Sequence, residues 1–224
     1  MNLVVDIGNN YFKLGIYKNS DLIYSFSDKN SKIDSKIKSV INKYNSLSHA
    51  LISNVSSLNI LDLFDKVNIV TLQLDSTFTL PFNLKYKSPK TLGNDRIALG
   101  AAASLLYPDS NKLIIDVGTC ITIDFIDLNN NFQGGSISPG IEMRYKSLNN
   151  YTAKLPLLDI GDEFNFPGNS TNTSIHSGVI GGVCNEISGV ISKINSQYDN
   201  VKVILTGGNA KFLSKTLKIT IFAN

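Results

Sequence analysis

The 224-residue sequence predicts an α/β protein built from a duplicated half-domain, and three observations carry that reading. The stretch LVVDIGNN (3–10) runs an apolar strand into Asp-x-Gly and a short polar residue. LIIDVGTC (113–120) does so again, 110 residues later and without a gap. In both halves short β-rich runs alternate with segments whose apolar residues recur at helical spacing. Finally, 42% hydrophobic against 17% charged residues, with no long Pro-, Ser- or Gly-rich linker, can fill the core of one large domain or two compact halves. The repeat period is too long for a solenoid.

Taken in order, 2–7 reads as a buried strand and 11–17 (YFKLGIY) as its hairpin partner across Gly8-Asn9-Asn10, followed by a third strand at 21–27. Ile33, Ile37, Val40, Ile41 and Tyr44 then mark an amphipathic helix of about three turns. ALISNV (50–55) and VNIVTL (67–72) are short apolar strands, and NDRIALGAAASLLY (94–107) is a helix opening on Asn94 and Asp95. The second half repeats the order. Residues 112–128 form strand, turn and strand, and 131–140 run into a Gly-rich turn. Ile175, Val179, Val183, Ile187, Val190, Ile191 and Ile194 mark one long helix over 173–195, and 201–213 is a strand, a double-glycine turn and a helix start.

Composition excludes several function classes. The net charge is +3, and Lys29, Lys32, Lys36, Lys38 and Lys43 read as the solvated side of a helical pattern, so no nucleic-acid partner is expected. His49, His176, Cys120 and Cys184 have no metal or disulfide spacing. The chain enters its first strand at Asn2 without a signal-peptide pattern, and no apolar run approaches the roughly 20 residues that span a bilayer. These features predict a soluble cytoplasmic protein without a membrane partner. Gly-x-Gly-x-x-Gly is absent after the first strand, which argues against a dinucleotide oxidoreductase.

What, then, does a strand ending on Asp-x-Gly offer? Gly8 and Gly118 are expected to turn the backbone with positive φ and let a ligand approach the main chain. Backbone N–H groups in such a turn converge on an anion. Asp6 and Asp116, at the strand ends, are placed for a cation, since Mg²⁺ takes one or two carboxylates together with phosphate oxygens. Asn9 and Thr119 add short polar side chains. A single copy also describes an ordinary strand-ending turn; two copies half a chain apart point to two anion-binding turns, one from each half.

These motifs resemble the superfamily of actin, sugar kinases and acetate kinases, and within it the type III pantothenate kinases. DIGNN resembles that family's first phosphate motif, YKSPKTLGNDR (86–96) its Tyr-x-x-Pro-x-x-Leu/Val-Gly-x-Asp-Arg signature, and IIDVGTCITID its second phosphate segment. GGSISPG, TAKLP (152–156), TNTSIHSG (171–178) and LTGGNA (205–210) match a turn, a short stretch, a Thr-initiated helix and an adenosine loop. Asn10 stands where Thr or Ser is usual, Cys120 where Ala is usual, and the sequence ends soon after the Gly-Gly turn. The resemblance implies two actin-like (ribonuclease H-like) half-domains, 1–108 and 109–224, with mixed sheets flanked by helices. It also implies a homodimer, to which the helix at 173–195 is expected to contribute.

The implied activity is ATP-dependent phosphorylation of pantothenate to 4'-phosphopantothenate by in-line transfer, the first step of coenzyme A biosynthesis, with Mg²⁺ and K⁺ or NH₄⁺. Asp95 is implied as general base; an acid in the first turn of a helix is the plainer reading. Arg96 is implied to bind the pantothenate carboxylate, and Tyr86, Gly93, Asn94, Asp95 and Thr171 to complete the substrate site. Tyr86 also reads as a half-buried strand tyrosine, and Thr171 as a helix N-cap. Asp6 with Mg²⁺, Gly8, Asn9, Lys13, Gly118 and Thr119 are implied at the phosphates, Asp116 at the monovalent cation, and Gly207 and Gly208 at the adenosine. Lys13 equally suits an edge-strand charge. Lysine outnumbers arginine 19 to 2, and both arginines, Arg96 and Arg144, fall in motif-like segments; a salt bridge is the other reading of Arg144. Asp124 closes the second motif or caps a hairpin. The competing readings are a non-catalytic actin-like nucleotide-binding regulator, or a kinase of the same superfamily for another small substrate.

Overall fold

Alternation sets the first sheet. In β1 (Asn2–Ile7), Leu3, Val5 and Ile7 are fully buried, while Val4 and Asp6 point to the other face. β2 (Tyr11–Lys18), β3 (Asp21–Lys29), β4 (His49–Asn54) and β5 (Val70–Gln73) complete a five-stranded mixed sheet in the order β3-β2-β1-β4-β5. β1, β2 and β3 pair antiparallel, whereas β4 and β5 run parallel to β1. Helix α1 (Ile33–Lys43) lays Ile33, Ile37 and Val40 on the face formed by Leu3, Val5, Phe12, Leu14, Ala50 and Ile52. Lys36, Lys38 and Lys43 ride on α1, but Lys29 ends β3.

This computed structural model describes residues 1–65, 67–161 and 164–217. They fall into two compact units, Met1–Leu80 with Lys87–Leu99, and Pro81–Tyr86 with the residues from Gly100 onward.

In the second unit β6 (Asn83–Leu84), β7 (Asn111–Val117), β8 (Cys120–Ile126), β9 (Asn131–Pro139) and β10 (Val201–Thr206) form a sheet in the order β10-β7-β8-β9-β6. Its core repeats the first: β7 and β8 form an antiparallel hairpin, β9 follows antiparallel, and β10 runs parallel to β7. Helix α2 (Asn94–Leu106) begins in the first unit and ends in the second. α3 (Ile141–Asn150), α4 (Thr171–His176), α5 (Gly182–Asn195) and α6 (Ala210–Leu217) flank this sheet. The expected α/β class, with two related mixed sheets flanked by helices, is therefore present.

The differences from sequence have local causes. β5 starts at Val70 rather than 67, because Val67 and Ile69 pack against the core from the preceding turns. α3, which follows the Gly-rich turn, has no counterpart in the sequence reading; it buries only Ile141 and Tyr145, too few to write a stripe. The single long helix is instead α4, a five-residue π-helical turn (Ser177–Gly181) and α5. Gly178, Gly181 and Gly182 ease that wider turn. Its apolar stripe, Ile175, Val179, Ile180, Val183 and Ile187, is spent on the unit's own core with Leu113, Ile115 and Leu205. That stripe is not free for a second subunit, contrary to expectation.

Ile187 is fully buried in this cluster. Ile187→Ala is expected to lower unfolding stability by about 2–5 kcal/mol, read as a reduced urea midpoint.

Candidate active site

The end of β1 gathers the first group of polar side chains. The antiparallel register sets Asp6 opposite Lys13, and the parallel register sets it beside Ser53 on β4. The buried Ser53 hydroxyl donates to Asp6 Oδ1 at 2.9 Å. Burial pushes the Asp6 carboxyl above the usual carboxylate range; the Ser53 hydrogen bond and the Lys13 charge pull it back, and the Asp95 charge pushes it up again. Lys13 and Asp95 thus both lie within electrostatic reach of Asp6.

The turn after β1 is held from behind. Gly8 N–H donates to Tyr11 O at 3.0 Å, closing it. Asn30, just past β3, donates from Nδ2 to Gly8 O at 2.9 Å and to Asn9 O at 3.2 Å, and its backbone N–H donates to Asn10 O at 3.0 Å. Asn9 and Asn10 are exposed. Neither Gly8 nor Gly118 adopts positive φ, against expectation. The hairpins close with ordinary backbone, and a Cβ on Gly8 would lie 3.2 Å from Tyr11 O, so crowding against the return strand is what favours glycine there.

Helix α2 delivers the second group. Asn94 donates to Asn54 O at 3.3 Å, docking the helix start beside the end of β4. Asp95 is half-buried, and its Oδ1 accepts the Arg96 N–H at 2.8 Å. Gly93 leaves the space that this carboxylate occupies; a Cβ there would collide with it. Arg96 is 4% exposed, so its guanidinium is held inside the protein.

In the second unit the turn after β7 repeats this layout with other fixings. Asp116 is half-buried and in register with Thr206, as Asp6 is with Ser53. Gly118 N–H donates to Cys120 O at 3.0 Å, so this turn is one residue shorter than the first. Gly140 N–H donates to Thr119 O at 3.0 Å, and its backbone packs so closely on Gly118 and Thr119 that no side chain fits. Gly207, at φ +98°, presses on Asp116 and Val117, and Asn209 N–H donates to Val117 O at 3.0 Å. Gly207 is thus required by contacts within the chain. A Cβ on Gly208 would meet nothing, which leaves open space. Thr119 is exposed.

The remaining sequence candidates lie elsewhere in the second unit. Tyr86 packs edge-on against Phe132, with its ring over Gly134, whose φ of +91° accompanies a bulge in β9. Ser170, not Thr171, caps α4, in a capping box with Thr173; Thr171 is the exposed first residue of the helix. Arg144 pairs with Glu186 and donates from Nε to Pro139 O at 2.8 Å, so it anchors α3 to α5. Asp124 is 2% exposed and in the middle of β8, not at a hairpin end. Thr152 accepts the Leu155 N–H and donates to Leu148 O, folding TAKLP back on α3. Sequence reasoning missed Ser53 and Asn30, which act across 47 and 22 residues; a polar residue ending an apolar strand was the only signal for Ser53.

Comparison with known proteins gives the family and the fold. The Type III pantothenate kinase family profile matches residues 2–193. A Flavobacterium johnsoniae type III pantothenate kinase is 42% identical over 227 residues, covering 100% of this chain and 92% of that one. Among solved structures, a Campylobacter jejuni protein assigned to the Baf family of transcriptional activators superposes with a TM-score of 0.66 at 23% identity, covering 99% of this chain and 91% of that one. A Sinorhizobium meliloti protein assigned as a 2-dehydro-3-deoxygalactonokinase gives 0.58 at 13% identity, covering 100% and 93%. These two likenesses are of fold, and they fit a duplicated actin-like architecture.

A buried carboxylate with a raised pKa costs stability once ionised. Folding favours its protonated form, so its stabilising contribution is present at low pH and lost as pH rises through the raised value. Asp6→Asn is therefore expected to raise the thermal midpoint of the nucleotide-free protein at pH 7, and the gap to wild type to close on acidification. Unchanged midpoints at both pH values would contradict this electrostatic picture.

Proposed function

The chain belongs to the type III pantothenate kinases, and on that footing we propose how its residues divide the transfer of the γ-phosphoryl group of ATP to pantothenate. The observation that supports this division is that Asp6, in register with Lys13 at the end of β1, lies within electrostatic reach of both Lys13 and Asp95. The reaction is the ATP-dependent phosphorylation that opens coenzyme A biosynthesis.

Phosphoryl transfer asks a protein mainly to position the partners and to stabilise charge. In our reading Asp95 accepts the proton of the pantothenate hydroxyl, its carboxylate oriented by the Arg96 N–H and given room by Gly93. The buried Arg96 fork binds the substrate carboxylate, with Asn94 from the same helix start; Tyr86 and Thr171, in the second unit, are assigned substrate contacts of their own. Lys13, Gly8 and Asn9 bind phosphate oxygens from the first turn, and Gly118 and Thr119 from the second. The open space at Gly208, with Gly207 shaping the turn, suits the adenosine.

Among the described residues no three His, Cys, Asp or Glu side chains cluster as an all-protein metal cage. That donor set fits Mg²⁺ held by Asp6, directly or through water, together with phosphate oxygens. When bound, Mg²⁺ would neutralise charge on the phosphates. Asp116, a half-buried carboxylate near the end of β7, is the residue we assign to a monovalent cation, K⁺ or NH₄⁺. No helix among the described residues is long and apolar enough to cross a membrane. Two free cysteines suit a reducing compartment, and we read the protein as cytoplasmic.

We also read it as a homodimer. Support comes from the large apolar side chains that the second unit exposes, Tyr151 at 88%, Leu157 at 56% and Phe166 at 91%. Light scattering at micromolar concentration is expected to give a dimer for wild type and a monomer for a Tyr151→Glu, Phe166→Glu variant; a fully active wild-type monomer would refute this.

For the chemistry, ADP release is measured with pantothenate, ATP and Mg²⁺, with and without K⁺. Wild type is expected to turn over only with pantothenate and faster with K⁺. A folded Asp95→Asn is expected to lose about 10²–10⁴-fold in kcat. Wild-type rates in that variant would remove Asp95 as the base.

A further inference from the structure

We propose that Asn30 is a positioning residue that holds the Gly8–Tyr11 turn in its phosphate-binding conformation. The proposal rests on the reading that this turn binds ATP phosphates. No local pattern announces the residue. It lies just past β3, and it reaches three consecutive carbonyls of the turn, two through its side-chain amide and one through its backbone N–H. Two carbonyl acceptors require the amide nitrogen, so the orientation of the amide is fixed by its partners.

The peptide group converts that anchoring into a function. A trans peptide is planar, with its C=O and N–H pointing in opposite directions. Drawing the carbonyls of Gly8, Asn9 and Asn10 toward Asn30 therefore turns the N–H groups of Asn9, Asn10 and Tyr11 away from it. Successive N–H groups turned to one side are what an anion-binding nest requires. Gly8 N–H does not join them, because it is spent on Tyr11 O.

A second observation concerns the other end of the amide. Asn30 Oδ1 is buried and has no hydrogen-bond partner. Native proteins rarely leave a buried acceptor unpaired. The side chain is thus placed for its donors at the expense of its acceptor, as a residue whose task is to hold carbonyls would be. The second unit reaches a similar end by other means, since the Thr119 carbonyl is held by the backbone N–H of Gly140.

The test uses inorganic tripolyphosphate and adenosine as separate probes, on the full chain of wild type, Asn30→Ala and Asn30→Leu. Leu keeps the approximate shape without the donors. Tripolyphosphate binding by calorimetry is expected to weaken about tenfold in both variants, about 1.4 kcal/mol. The KM for ATP should rise in step, while adenosine affinity and the KM for pantothenate stay within about twofold, since only phosphate contacts would be lost. A general structural role would weaken all four together, and that result overturns the proposal. So does wild-type tripolyphosphate affinity in a folded variant.

Wild type alone supplies a reading that needs no variant to fold. Adding tripolyphosphate should shift the amide resonances of Asn9, Asn10 and Tyr11 and the side-chain amide of Asn30 along one binding curve. If the turn amides do not respond, the phosphate role of the turn itself fails. If they respond while the Asn30 amide stays still, or respond equally in Asn30→Leu, only the role of Asn30 fails.

Discussion

The arrangement depends on one contact, the hydrogen bond from Ser53 to Asp6 across the β1–β4 register. A carboxylate at the end of a central strand is partly removed from water, and burial works against its charge. The antiparallel neighbour supplies Lys13 and the parallel neighbour supplies a hydroxyl, so both flanks of the strand act on the same group. Asn94, docked on Asn54 next to Ser53, ties the start of α2 to the same strand end.

The second unit keeps the plan and changes the fastenings. Both halves pair an Asp-ending strand with an antiparallel return strand and a parallel neighbour carrying a hydroxyl residue in register, Ser53 in one and Thr206 in the other. The gapless match of 3–9 with 113–119 ends at the turn, where the second hairpin is one residue shorter. Past that point the repeat slips by one position, and because side chains alternate across a strand, Lys13 has Thr122 as its structural counterpart. The Lys13 position of the first half is therefore taken by an uncharged residue in the second.

How much of this was legible depended on range. β1, β2, β7 and β8 were readable because each is a short β-rich run and the Asp-x-Gly that ends β1 and β7 lies within the same short window as the return strand. The start of α2 was readable because Asn94 and Asp95 fall in its first turn. α3 was not, since Ile141 and Tyr145 are its only buried residues, and β6 is a two-residue strand defined by its pairing with β9. The same division holds in the site. Asp6 and Asp95 sit in compact motifs, whereas Ser53 and Asn30 are distant in sequence from the groups they hold; a polar residue ending an apolar strand is the one local mark of Ser53, and Asn30 has none. The positive φ expected of Gly8 and Gly118 failed because the turns close through ordinary backbone; the glycines that do adopt positive φ in the second unit are Gly207, just past β10, and Gly134 in β9.

The contrast between the fastenings has an evolutionary consequence. The first turn leans on a side chain, Asn30, that a single base change can exchange for another of graded size and polarity. The second leans on Gly140 and Gly207, where any added carbon strikes the neighbouring backbone. Heritable variation can therefore retune the first turn by degrees, whereas at the second it meets an all-or-none barrier. Drift in turn geometry among descendants of this sequence would accumulate on the amino-terminal side.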